Sequence, residues 1–167
     1  MTTMNLLRNC TILALSAIFA AGACSSGPKA NTNTAPGTVG SSNSDANTEK
    51  TNVEELGMLV SVPYETEDIV WKDLAAQKKL IAVLRFSSAD GAKLVAEASA
   101  VRPPVAVSIQ CETWFPDELI AQSDLSGDDT LKATAYAANA FLQPPFNEGR
   151  ISRVEGTDYF VLEVSAK

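Results

Sequence analysis

Between Ser25 and Asn52 the chain has one large apolar residue, Val39, in a run dominated by Ser, Thr, Asn, Gly, Pro and Ala. A segment so poor in apolar surface cannot offset the entropy lost on ordering, so its composition predicts a disordered stretch. As a flexible coil of 28 residues it would span roughly 30 Å end to end. The core that the chain builds must therefore come from residues 53–167, a length of 115 residues that suits one small domain.

Ahead of the polar tract, Arg8 and the amino terminus are followed by a mostly apolar run, Thr11–Ala20, and then by Ala21-Gly22-Ala23-Cys24. The run falls short of the about 20 apolar residues that a membrane-crossing helix needs. Met4 is an alternative start that leaves a tighter basic region around Arg8. The arrangement resembles the signal peptide and lipobox of a bacterial lipoprotein, a family whose box usually has Leu where Ala21 stands. The resemblance implies that residues 1–23 are removed, that Cys24 becomes the lipidated first residue, and that residues 24–52 form a tether. Ala21-Gly22-Ala23 also satisfies the pattern of an ordinary secretory cleavage site, which would release a soluble product.

On the lipidated route the anchor is a set of acyl chains such as palmitate, each buried methylene contributing roughly 0.8 kcal/mol. Several chains on one cysteine imply durable attachment to the cell envelope. Ser25, standing where Asp would favour the inner membrane, points to the outer membrane, facing the periplasm or the surface, in an organism that has two.

The segment 53–167 carries 10 Lys and Arg against 18 Asp and Glu, a net charge of −8. With no strongly basic patch, nucleic acid and anionic lipid surfaces are poor expected partners. Cys10 and Cys24 lie in or at the end of the leader, which leaves Cys111 with no intrachain partner. The domain must then rest on its core alone, without the disulfide that an oxidising envelope permits.

Alternation and capping signals place the elements. Gly57–Val62 reads as a first strand stopped by Pro63. Asp68–Trp71 reads as a short second strand, with a helix through Trp71–Gln77 competing on the spacing of Val70, Leu74 and Gln77. Lys79–Ser87 is apolar on both faces, which suits a covered central strand. Ser87 and Asp90 then open a helix with Leu94, Val95, Ala98 and Val101 on one side, ended by Arg102-Pro103-Pro104. Val105–Cys111 alternates, with Val105, Val107, Ile109 and Cys111 on one face. Pro116 opens a short helix with Asp117 and Glu118 in its first turn and Leu119 and Ile120 buried.

Within Thr130–Leu142 the stripe Leu131, Ala135, Ala138 and Leu142 favours a helix over a strand. Arg150–Glu155 and Tyr159–Val164 read as a hairpin about Gly156-Thr157-Asp158. The mixture predicts an α+β fold with a largely antiparallel sheet and two or three helices.

Chemistry is constrained most by an absence: the chain has no histidine. That removes Ser-His-Asp and Cys-His arrangements and most zinc and copper sites. Cys111, on an apolar strand face, reads as a small core hydrophobe. Asp124, Asp128 and Asp129, with Ser126 between them, make the one weak candidate for a metal, a calcium ion. Their spacing does not match an EF-hand, and the alternative is an acidic turn in which Ser126 or Asp128 caps a following helix. No glycine-rich phosphate loop occurs, and no cofactor is implied.

Candidate binding residues are aromatic or lie beside prolines. Trp114 and Phe115 precede Pro116, while Phe146 and Arg150 flank a loop stiffened by Pro144-Pro145 toward polyproline II geometry. The competing readings are core packing for the aromatics and a rigid connector for the loop. Glu112 and Asp117, near Trp114, are the carboxylates a small hydrolase would use. The expected function is that of an envelope-anchored binding or accessory module for another envelope protein or a small ligand. The alternatives are a hydrolase using carboxylates or Ser/Lys, and a structural envelope component.

Overall fold

The computed structural model describes residues 48–167; the expected leader, Cys24 and the tract up to residue 47 lie outside the described residues. The fold is α+β: a six-stranded, wholly antiparallel sheet with three helices. In chain order the elements are α1 (Val53–Gly57), β1 (Thr66–Leu74), β2 (Lys79–Phe86), α2 (Ser88–Val101), β3 (Val105–Gln110), α3 (Asp117–Ser126), β4 (Thr130–Ala137), β5 (Glu148–Val154) and β6 (Tyr159–Ser165). The strand order is β1-β2-β6-β5-β4-β3, which puts β1 and β3 at opposite edges.

Both faces of the sheet are packed, as the two-sided apolar character of β2 requires. Leu80, Ala82, Leu84 and Phe86 meet α1, α2, Phe160 and Leu162 on one face. Val83 joins Val161, Leu131, Phe115 and Leu119 beneath α3 on the other. On the α2 face Phe86 and Phe160 pack edge to face at 5.5 Å between ring centroids, a geometry favoured by the ring quadrupoles. The expected cap of α2 is present, since the Ser87 hydroxyl accepts from Asp90 N–H at 3.1 Å and donates to its carboxylate at 2.9 Å.

Two expectations fail for physical reasons, and an alternative left open between them is decided. Gly57–Val62 is not a strand. Asn52 Oδ1 accepts from the N–H groups of Glu54 and Glu55 at 2.9 and 3.1 Å, which starts α1 instead. Leu56 and Val60, four residues apart, are then both fully buried.

The competing helix at Trp71–Gln77 gives way to a longer strand, followed by a single 3-10 turn at Ala75–Gln77. Trp71 is fully buried within β1, opposite Ala82, and the pairing with β2 runs on to Leu74 opposite Lys79.

Residues 130–137 are a strand rather than a helix, with a 3-10 turn at Asn139–Phe141. Leu131, Ala133 and Ala137 are buried on one face, with Ala135 half-buried between them, and the strand is hydrogen-bonded on both sides, to β3 and β5. Two ladders outweigh an alanine preference for helix worth less than about 1 kcal/mol per residue.

The folded unit also begins earlier than residue 53. Lys50 exchanges both backbone hydrogen bonds with Trp71 at 2.8 Å, extending the sheet beside β1. No helix among the described residues is long and apolar enough to cross a membrane.

Candidate functional site

After β3 the chain turns at Glu112–Phe115, where Phe115 N–H donates to the Glu112 carbonyl at 3.0 Å. The turn drives Phe115 into the core beneath α3, leaving it only 4% exposed. Trp114, the next residue back, packs edge-on against Phe115 at 4.8 Å and stays half-buried. The Lys72 ammonium sits 5.2 Å from the Trp114 ring centroid, within cation–π range, and pairs with Glu49 at 3.4 Å.

Trp114 thus separates two clefts on the α3 face. The first, about 380 Å³, has Ile81 and Leu74 among its apolar walls and Lys72, Lys79 and Glu112 among its charged ones. The second, about 390 Å³, lies toward Asp68, Asp117, Glu118 and Tyr159. In it the Tyr159 hydroxyl donates to Asp68 at 3.2 Å. Burial raises the Tyr159 pKa above the ordinary tyrosine value, and nearby Asp68 and Glu118 add to the rise against the opposing effect of Arg85.

Lys79 also lines a third cleft, about 530 Å³, with Arg102, Arg150 and Glu163. Glu163 is the hub there, bonded to Lys79 at 2.9 Å and to the Arg150 guanidinium. Burial pushes the Glu163 carboxyl upward, but the hydrogen bonds and charges of Lys79 and Arg150 outweigh it and hold the carboxyl below its usual range.

The residues singled out in the sequence separate into two sets. Trp114 and Arg150 reach the same sheet face, in clefts that share Lys79. Phe115 and Phe146 are core residues, 4% and 6% exposed, and Phe146 lies in the cluster on the α2 face. Pro144 and Pro145 sit in a turn, so the loop is not an extended polyproline run.

Glu112 and Asp117, paired in the hydrolase reading, line different clefts on either side of Trp114. Cys111 is half-buried, not fully enclosed, because β3 is an edge strand.

Asp128 Oδ1 accepts from Ser126 Oγ, Thr130 Oγ1 and Thr130 N–H at 2.6, 2.8 and 3.2 Å, closing a turn into β4. The element that follows is a strand, so neither residue caps a helix. These bonds, that of Ser126 first, lower the Asp128 pKa. Among the described residues no three potential ligands gather about a point suited to a metal ion.

Lys72, Lys79 and Glu163 were missed as site residues. Their signal was the alternation of β1, β2 and β6, which puts them on one face, but nothing local joins β1 and β2 to the distant β6.

Compared with known proteins, the chain matches no family model, no curated protein and no solved structure.

Proposed function

We propose that the chain is a lipid-anchored envelope protein, held through Cys24, whose folded unit is a binding module with its ligand surface at Trp114. The observation that carries the binding reading is the half-exposed indole standing between two clefts, with Lys72 against its face. An aromatic wall beside a few placed charges suits a small ligand bearing both apolar and polar groups. The anchor reading rests on Ala21-Gly22-Ala23-Cys24 and on the polar tract that follows it. On this reading a partner or ligand is met within the reach of the tether from the membrane.

The test compares the anchored chain with its Trp114→Ala variant, both purified from envelope membranes, by mass spectrometry of co-purifying small molecules. A compound retained by the parent and lost from the variant is the expected result. Identical profiles from both would overturn the assignment of Trp114.

A further inference from the structure

The two edges of the sheet are finished differently. The β1 edge is closed: Trp71 pairs with Lys50, and Ile69 N–H is taken by the Asp68 carboxylate at 2.9 Å. That strand also carries Glu67, Asp68, Lys72 and Asp73, and a register shift between Thr66 and Asp68. Charges, irregularities and covering segments are the devices by which proteins keep an edge from pairing with another chain.

Among the described residues the β3 edge has none of them. Its sequence is Val-Ala-Val-Ser-Ile-Gln, without charge or proline, in unbroken register with β4. Val105 and the nearby Val101 are 57% and 59% exposed.

The phase of the ladder shows which groups this edge presents. Cys111 N–H donates to the Asp129 carbonyl and Glu155 N–H to the Lys132 carbonyl, both at 2.9 Å. In antiparallel strands, hydrogen-bonded and non-bonded pairs alternate. Val105, Val107 and Ile109 therefore bond inward to β4, while Ala106, Ser108 and Gln110 turn their N–H and C=O groups outward.

We propose that this edge pairs with a second copy of the chain, antiparallel about a two-fold axis through Ser108, so that two copies share one continuous sheet. The register is self-complementary. It bonds Ser108 to the partner's Ser108 and Ala106 to the partner's Gln110, which uses every outward group of the strand. It also sets Val107 beside the partner's Ile109, and Val105 beside the partner's Cys111, on the α3 face of the sheet.

Charge supports the same occupant. Arg102 precedes β3 and lines the third cleft, Glu112 follows β3 and lines the first, and neither forms an ion pair among the described residues. Antiparallel self-pairing sets the Arg102 end of each copy beside the Glu112 end of the other. This is the isologous arrangement of closed two-fold dimers.

Val105→Cys tests the register in the full chain. Residues 105 and 111 face each other as a non-hydrogen-bonded pair with Cα atoms about 4.5 Å apart, close enough for a disulfide. Air oxidation of Val105→Cys in the native envelope should give a covalent dimer on a non-reducing gel. The parent chain and the Val105→Cys/Cys111→Ser double variant should give none. Ser108→Cys/Cys111→Ser, which sets residue 108 against itself, should restore the dimer. Residues 105 and 108 are exposed, so these changes leave the core intact. A monomer from Val105→Cys, or an equal dimer yield from its Cys111→Ser double variant, would overturn the proposal; capture of a foreign strand instead gives the monomer.

Discussion

The Trp71 indole N–H donates to the Asn52 carbonyl at 3.1 Å, tying the residue that caps α1 to the edge strand of the sheet. Trp71 itself is fully buried, with the Lys50 ammonium 4.9 Å from its ring centroid. One side chain therefore joins the entry of the folded unit, the first helix and β1. Trp71→Ala should cost about 3–5 kcal/mol in urea denaturation. Trp71→Phe keeps much of the packing but leaves the carbonyl without its donor, and should cost less than the alanine change. Equal midpoints for parent and Trp71→Ala would contradict this role.

The Lys79–Glu163–Arg150 cluster predicts a specific pH dependence. The Glu163 pKa is lowered in the folded chain from a reference of 4.5. Its stabilising contribution is thus complete above that reference and is lost as the pH falls through the lowered folded value. Glu163→Gln should lose about 1–3 kcal/mol at neutral pH, where charged hydrogen bonds are removed. It should also flatten the acid limb of a midpoint-against-pH curve. An unchanged acid limb would show that Glu163 contributes nothing to it.

Close approach of β5 and β6 predicts a third outcome. A Cβ at Gly149 would lie 2.7 Å from the Glu163 carbonyl oxygen and 2.7 Å from Val164 Cγ1. Backbone cannot yield there without moving the strand. Gly149→Ala should destabilise by about 1–3 kcal/mol, as overpacking does. An increase in thermal midpoint would refute the contact.

Two leucines of α3 give a contrast within one helix. Leu119 is fully buried and Leu125 is 90% exposed. Leu119→Ala should cost about 2–5 kcal/mol, whereas Leu125→Ala should stay within about 0.5 kcal/mol of the parent. Similar losses from both would mean that α3 packs by another face.

Local signals explain what was legible in the sequence. Ser87 and Asp90 lie three residues apart and cap α2 by themselves, while Gly156, flanked by alternating apolar runs, marks the β5–β6 turn with a φ of 77°. Residues 130–137 were misread because their outcome is decided by β3 and β5, which no window around them contains. The same holds at Leu56 and Val60, whose burial depends on the α2 face of the sheet. Trp114 stood out by its chemistry, but its setting comes from Lys72 on β1 and Ile81 and Lys79 on β2, which only the assembled sheet brings together. The open β3 edge was also invisible, because the uncharged run Val105–Gln110 reads the same in a central strand as in an edge strand.

The proposed acylation of Cys24 would decide where the folded unit works and what it can meet, and metabolic labelling measures it directly. Cells expressing the full chain are fed a palmitate analogue bearing a clickable tag, beside cells expressing Cys24→Ser. The account predicts label on the parent and none on the variant, with the parent sedimenting in the membrane fraction. An unlabelled parent chain, released as a soluble product, would contradict it.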